Sequence, residues 1–133
     1  MLKKIIKWLP AAFIAACSFY FSSKSQLQYM PSFWNADKVV HLCCYAGFSF
    51  WIAFACNIRT FKQVWIPILM IAVWGITDEF HQSFVPYREP SFLDWCADTL
   101  GAVIGAFVYV FAGVKVIDWI CGKFLRQKKQ NNE

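Results

Sequence analysis

Residues 91–107 read SFLDWCADTLGAVIGAF, an apolar segment that carries two acids and two glycines. Asp94 and Asp98 are four residues apart, so they lie one turn apart on the same face of a helix. Gly101 and Gly105 extend that face as a G-x-x-x-G surface, which lets a neighbouring helix approach closely. We therefore expect this helix to turn its acids and its glycines toward other helices.

The composition around this segment is that of a membrane protein. The 133-residue chain is 59% hydrophobic, 20% aromatic and 16% charged, whereas a soluble domain carries about 45–50% apolar and about 25% charged residues. Four stretches approach the roughly 17–25 apolar residues that span a bilayer. They predict a single all-α domain, an integral membrane bundle of about four transmembrane helices at about residues 5–21, 39–56, 64–84 and 92–116, with a polar basic tail at 122–133.

The basic residues set the predicted orientation. Ten of the thirteen Lys and Arg residues lie before the first span, between the second and third spans, or at and after the end of the fourth. By the positive-inside rule both termini lie in the cytoplasm, so the polar ends of the helices face outward. Because the bases sit at the ends of apolar runs, the net charge of +5 does not indicate a nucleic-acid partner.

Most of the acids and both histidines gather at this predicted outer level. Asp37 and His41 are one turn apart at the start of the second helix, and Asp78 and His81 share an arc near the end of the third, while Glu79 points elsewhere. Acids within membrane spans usually face the bundle interior and mark a functional site. The predicted catalytic candidates are Asp37, His41, Asp78, Glu79, His81, Asp94 and Asp98, and the predicted ligand-binding residues are Lys38, Gln82 and Arg88.

Several of these residues also have structural explanations. Ser91-x-x-Asp94 resembles a helix capping box, and Asp37 would complement the positive end of a helix dipole. Lys38 would extend its charged head to the membrane interface, and Arg88 would anchor its loop there.

The first span and the cysteines leave further alternatives. The basic start, the apolar run and the small residues before Cys17 resemble a lipoprotein signal, which would leave a lipidated Cys17, but the apolar run continues through residues 18–21 and favours an uncut helix. No C-x-x-C spacing appears, so the six cysteines are predicted to be small apolar packing residues.

No cofactor is indicated by the sequence. A divalent metal ion (Mg²⁺, Mn²⁺ or Zn²⁺) bound at the acid–histidine cluster stays an alternative, although no H-E-x-x-H spacing is present.

Two motifs carry a family resemblance. The first is D-K-x-x-H at 37–41, followed by Tyr45; the second is D-E-x-x-Q-x-F-x-P-x-R at 78–88, which continues as S-x-x-D-x-x-x-D-x-x-G-x-x-x-G at 91–105. Together they resemble the VanZ-like family of small bacterial membrane proteins, over about residues 5–120. Tyr87 stands where many members have Gly, and Asp98 where many have Asn, which adds a negative charge to the cluster.

The resemblance implies a multi-pass protein of the bacterial cytoplasmic membrane, linked to glycopeptide (teicoplanin-type) resistance, with no established reaction. We expect an outward-facing site that binds, and in a hydrolase- or transferase-like step processes, a lipid-linked envelope precursor or an anionic lipid headgroup. Lys38 and Arg88 would hold the anion. His41 or His81, oriented by Asp37 or Asp78, would act as general acid or base.

Two other functional classes stay open at this point. In the first, the protein is a non-catalytic structural or partner protein, and its polar residues only pin the helices together. In the second, it is a transporter or proton relay, although the polar residues sit at one face and no internal repeat is detectable. The sequence predicts contact with the lipid bilayer but does not indicate an oligomeric state.

Overall fold

The computed structural model describes residues 2–25 and 35–130, and over these residues it is helical without strands. A 3₁₀ turn at Phe61–Gln63 precedes the third helix, and a π-helical segment at Tyr109–Gly113 interrupts the last one. The helices are α1 (Leu2–Ser22), α2 (Ala36–Ala55), α3 (Trp65–Gln82), α4 (Phe92–Val108) and α5 (Val114–Gln130).

The described part of the chain has four helical stretches long and apolar enough to cross a membrane, which confirms the predicted all-α bundle of about four spans. The side of the membrane on which the termini lie stays a prediction. The four stretches are Lys4–Ser22, Ala36–Ala55, Phe61–Gln82 and Phe92–Lys123.

Two boundaries differ from those expected. α2 begins at Ala36 rather than near 39, because Asn35 (φ 57°) turns the chain and Asp37 occupies the first helical turn. The last span continues through the π-helical segment into α5, so the predicted tail is helical from 122 to 130, while residues 131–133 lie outside the described residues.

The four spans alternate in direction. At one end, Lys7 of α1 donates a hydrogen bond to Asn57 in the loop after α2. Arg59 of the same loop pairs with Asp118 of α5 at 2.6 Å. At the other end, which we call the polar end, the ends of α1 and α3 meet the starts of α2 and α4.

α2 and α4 form the closest helix pair, and two glycines of α4 make this possible. A Cβ at Gly101 would clash with the carbonyl oxygen of Leu42, and one at Gly105 would occupy the place of the carbonyl oxygen of Ala46. The predicted close approach at the G-x-x-x-G surface is thus confirmed, and α2 is the partner. This contact sets the register in which α2 and α4 face each other at the polar end.

The interior away from the polar end is apolar. Its main cluster takes buried side chains from all four spans, including Ala11, Tyr45, Ile71 and Ala102. Many large apolar side chains lie on the outside instead; Phe13, for example, is 70% exposed. An outer surface of this kind suits lipid, which is as apolar as the side chains that face it.

Candidate functional site

The polar end brings together polar side chains from all four spans. The ten predicted site residues all lie at this end, on α2, α3, α4 and the loop between α3 and α4, but they do not form one continuous cluster. They divide into a buried interior group, an ion bridge between α2 and α4, and an outer group on α3 and its following loop.

The interior group begins with an imidazole–carboxylate pair. His41 Nδ1 lies 2.9 Å from Asp98 Oδ1; Asp98 is fully buried, and the His41 side chain is 15% exposed. The second oxygen, Asp98 Oδ2, has no hydrogen-bond partner among the described residues. It lies against α3, where a Cβ at Gly75 would come within 3.2 Å of it. The bond at Nδ1 fixes the ring and leaves Nε2 as the ring nitrogen for another partner.

The interior group continues at Asp78 of α3, which is buried and accepts three hydrogen bonds on one oxygen. Ser22 Oγ donates to Asp78 Oδ2 at 2.7 Å, Gln82 Nε2 at 3.2 Å and Tyr45 OH at 3.3 Å. Ser18 Oγ lies 3.0 Å from Tyr45 OH and extends the network along α1. The other oxygen, Asp78 Oδ1, is buried without a partner among the described residues.

Tyr45 connects the two buried carboxylates. Its ring lies nearly parallel to that of His41, with centroids 6.0 Å apart and planes inclined by 8°, and its hydroxyl reaches Asp78. One face of α2 thus runs from the Asp98 pair to the Asp78 network.

An ion bridge joins the first turns of α2 and α4 beside this interior group. Lys38 Nζ lies 2.8 Å from Asp37 Oδ2 and 2.9 Å from Asp94 Oδ1. Only half of the expected capping box is present: the Asp94 backbone N–H donates to Ser91 Oγ at 3.3 Å, whereas the Ser91 N–H donates to Glu79 rather than to Asp94. Lys38 is therefore already satisfied by two carboxylates of the protein.

Arg88 fastens the loop between α3 and α4 to the end of α1. Its Nε donates to the carbonyl of Lys24 at 3.0 Å, and its Nη2 donates to the carbonyl of Phe21 at 3.3 Å. The last carbonyls of a helix have no partner within the helix, so a side-chain donor stabilises that end. The guanidinium is oriented by two backbone carbonyls, one in the last turn of α1 and one just after it, and forms no ion pair with an acid among the described residues.

The outer group contains the two remaining α3 residues, which do not join the interior carboxylates. His81 Nε2 lies 3.0 Å from Ser23 Oγ, and its ring stacks on Phe19 at 4.2 Å. Glu79 accepts a 2.6 Å hydrogen bond from the backbone N–H of Ser91. Glu79 points away from Asp78, as expected from its position on the helix.

The predicted pairings of the histidines are wrong in the structure. His41 pairs with Asp98 rather than with Asp37 of its own helix, because close packing at the glycines brings α4 against that face of α2. His81 contacts Ser23 and Phe19 of α1 rather than Asp78.

Sequence reasoning missed the hydroxyl groups of the interior group. Ser18 and Ser22 are spaced four residues apart near the end of an otherwise apolar span, and Tyr45 follows His41 by the same interval. That i, i+4 spacing, which places side chains on one face, was the signal that could have revealed them.

Metal-ligand geometry and disulfides are absent from the described chain. Across residues 2–25 and 35–130, no group of three or more His, Cys, Asp and Glu side chains is placed to hold a metal ion. All six cysteines are free; four are half-buried, whereas Cys43 and Cys121 are exposed and so do not act as the packing residues that were expected.

The backbone at Tyr87 suits glycine, the residue that the family resemblance leads us to expect there. Tyr87 has φ 63°, the left-handed region that favours glycine, and its side chain is 92% exposed. We expect Tyr87→Gly to stabilise the protein by about 0.5 kcal/mol, since relief of about 1–2 kcal/mol of strain is offset by about 0.4–1 kcal/mol of unfolded-chain entropy. Thermal unfolding in detergent measures the change.

The matched control is Tyr87→Ala, which removes the exposed ring but keeps the strained backbone. It should leave the melting temperature near that of the wild type. A melting temperature lower for Tyr87→Gly than for Tyr87→Ala would contradict the strain argument.

Comparison with known proteins agrees with the motifs. Searches of curated proteins and of solved structures found no significant match. The model of the VanZ/LLP1 family matches residues 1–113, which include α1 to α4, both motifs and every residue of the polar end described above. The chain therefore belongs to the VanZ/LLP1 family.

Proposed function

We propose that this protein binds a polar ligand of the bacterial cell envelope at its polar end. In this proposal it lies in the cytoplasmic membrane with both termini inside and the polar end at the outer face, an orientation supported by the distribution of its basic residues. The family's link with teicoplanin-type resistance supports a lipid-linked envelope precursor as the ligand.

The observation that carries the proposal is the incomplete satisfaction of two buried carboxylates. Asp98 is fully buried and Asp78 is 3% exposed, yet each has one oxygen without a partner among the described residues. A network that served only to hold helices together would be expected to satisfy its polar groups, because a half-satisfied buried network is costly. Both unpartnered oxygens are buried, so in this proposal a ligand that supplies donors reaches them by displacing the side chains that cover them.

The ligand groups best suited to this end are hydrogen-bond donors. Lys38 and Arg88, the cations expected to hold an anion, are already bonded to carboxylates and to backbone carbonyls, respectively. Hydroxyl and amide groups, which glycan and peptide precursors carry, would instead donate to the acids.

His41 gives the proposed site its chemistry. With Nδ1 held by Asp98, Nε2 is the ring nitrogen positioned to exchange a hydrogen bond or a proton with a ligand. An orienting carboxylate behind a histidine is the arrangement that acid–base catalysis uses. A hydrolase- or transferase-like step at this site would therefore depend on His41.

A non-catalytic role is the second proposal, and the same two cations favour it. Lys38 joins the starts of α2 and α4, and Arg88 joins the α3–α4 loop to α1, so both act within the fold. In that case the polar end pins the helices, and the protein works through partners.

The test compares variants in a teicoplanin-susceptible bacterium. Wild-type protein is expected to raise the minimal inhibitory concentration of teicoplanin, and His41→Ala is expected to abolish that increase at equal membrane abundance. The matched control is Asp118→Asn, an exposed acid at the opposite end, which should behave as wild type.

Three results separate the proposals. If His41→Ala protects as well as wild type at equal abundance, the site proposal is wrong. If protection falls only in proportion to protein level across the variants, the pinning role is favoured. If wild type gives no protection, the glycopeptide link does not apply to this chain.

A further inference from the structure

A lateral groove separate from the interior group opens between the end of α3 and the start of α4. It has a volume of about 330 Å³, at the lower end of the about 300–1,000 Å³ typical of small-molecule sites. Its rim is apolar and exposed, as lipid-facing surfaces are, with Ile76 57% exposed and Phe92 73% exposed. The groove is lined by Ile76, Glu79, Pro90, Ser91, Phe92 and Trp95.

Glu79 is the only acid among these lining residues, and a hydrogen bond from the backbone fixes its side chain. Its side chain is 9% exposed, and Oε2 accepts the Ser91 backbone N–H at 2.6 Å. The other oxygen, Oε1, has no partner among the described residues. A buried carboxylate oxygen without a donor is unfavourable, so an occupant of the groove that brought a donor to Oε1 would stabilise Glu79.

The aromatic wall of the groove is also fixed. Trp95 Nε1 donates to the carbonyl of Ala72 at 3.0 Å, which sets the orientation of the indole. The Phe92 ring lies beside it, with centroids 5.5 Å apart. Aromatic faces beside a carboxylate attract cations, and none of the lining residues is a cation that could fill this role.

These features select one kind of occupant. An anionic headgroup would be repelled by Glu79, and an acyl chain alone would leave Oε1 without a donor. A quaternary ammonium has no N–H to donate, whereas a primary ammonium supplies charge and donors together. We propose that the groove binds the primary ammonium headgroup of a membrane lipid of the ethanolamine type, with Glu79 as acceptor and Trp95 as aromatic wall.

This inference does not depend on the proposed function. Glu79 lies on a different side of α3 from Asp78 and forms no hydrogen bond with His41 or Asp98. Lipid binding can therefore succeed or fail whatever the outcome of the teicoplanin test.

The experiment titrates full-length protein in detergent with phosphatidylethanolamine, phosphatidylcholine or phosphatidylglycerol of identical acyl chains, and counts bound lipids by native mass spectrometry. Phosphatidylethanolamine should bind the wild type about tenfold more tightly than phosphatidylcholine, the factor expected for one charge-assisted hydrogen bond. Glu79→Gln should remove that preference, because its amide still accepts from Ser91 but replaces the second acceptor oxygen by a donor.

Two further variants keep the test decisive. Ile76→Trp fills the groove from an exposed position and should lower ethanolamine-lipid binding while Glu79 is intact. Asp118→Asn should retain the full preference. If Glu79→Gln does not fold, Ile76→Trp still tests whether the lipid binds in the groove.

Four outcomes would overturn the assignment. Equal binding of the ethanolamine and choline lipids would reduce the site to an apolar groove, and preference for phosphatidylglycerol would contradict the role of Glu79. Retained preference in both groove variants would place the lipid elsewhere. Dimers that Ile76→Trp disperses would assign the groove to a second copy of the chain.

Discussion

Gly105→Ala is expected to destabilise the bundle by about 1–3 kcal/mol or to prevent its assembly, the range found for overpacked interiors. The added methyl group would occupy the position of the Ala46 carbonyl oxygen, which is backbone and cannot rotate away as a side chain could. α2 and α4 would have to separate, and this is the closest helix pair of the fold. Unfolding of purified protein in mixed detergent micelles, followed by circular dichroism, measures the loss.

The matched control is Gly47→Ala, in α2. A Cβ built at Gly47 meets no atom within 4 Å, so the change adds a methyl group without a clash. This control should stabilise the protein by about 0.5–1 kcal/mol, the difference between Ala and Gly within a helix. Equal stability of the two alanine variants would show that Gly105 does not set the distance between α2 and α4.

Gly105→Ala should also disturb the contacts at the polar end. His41 meets Asp98 only because α4 lies close along α2, and the glycines permit that distance. A Gly105→Ala protein that still inserts in the membrane should therefore lose the proposed protection against teicoplanin together with its stability.

Asp78→Ala is expected to lower the free energy of unfolding by about 2–4 kcal/mol, since a buried donor left without its acceptor costs about 1–3 kcal/mol. Ser22, Tyr45 and Gln82 all donate to the same oxygen of Asp78, so a single substitution removes the acceptor of three donors. The same unfolding assay in detergent micelles measures the loss.

Asp78→Asn is the matched control for Asp78→Ala, because it keeps a hydrogen-bond acceptor at this position. Its amide oxygen can stand where Oδ2 stands and accept the same three hydrogen bonds, while its NH₂ takes the place of the unpartnered Oδ1. We expect it to be clearly more stable than Asp78→Ala. If both variants unfold like the wild type, the three hydrogen bonds contribute little to the fold.

The Asn variant also bears on function. If wild type gives the proposed protection against teicoplanin and the Asn variant, folded and at normal abundance, does not, the carboxylate acts on something other than the helix network. If it folds normally and protects fully, the proposed interior site does not need the second oxygen of Asp78.

Helix number and approximate length were predictable because they depend on local properties. Runs of about 20 apolar residues mark spans whatever their neighbours are, and all four are present. The boundaries were less accurate. A polar first turn such as that at Asp37 has no apolar signal, and the π-helical segment joins the last span to its basic tail.

The position of the site at one end of the bundle was also predictable, but the hydrogen-bond partners within it were not. Alternating spans force the starts of α2 and α4 and the end of α3 to one end, so acids and histidines there share a level. Which of them meet depends on helix rotation and distance, which local spacing does not contain. The spacing within α2 suggested that Asp37 would orient His41, whereas in the structure His41 forms its hydrogen bond with Asp98.

The sequence by itself determined a four-span helical protein of the VanZ type, with its acids, histidines and glycines on known faces and at one end. Tertiary structure decided the contacts: Asp98 with His41, Asp78 with the hydroxyls of Ser22 and Tyr45, and Glu79 with a groove outside the network. The physical reason is that periodicity fixes which side of a helix a residue occupies. Only the packing of one helix on another, here at Gly101 and Gly105, fixes what that side touches.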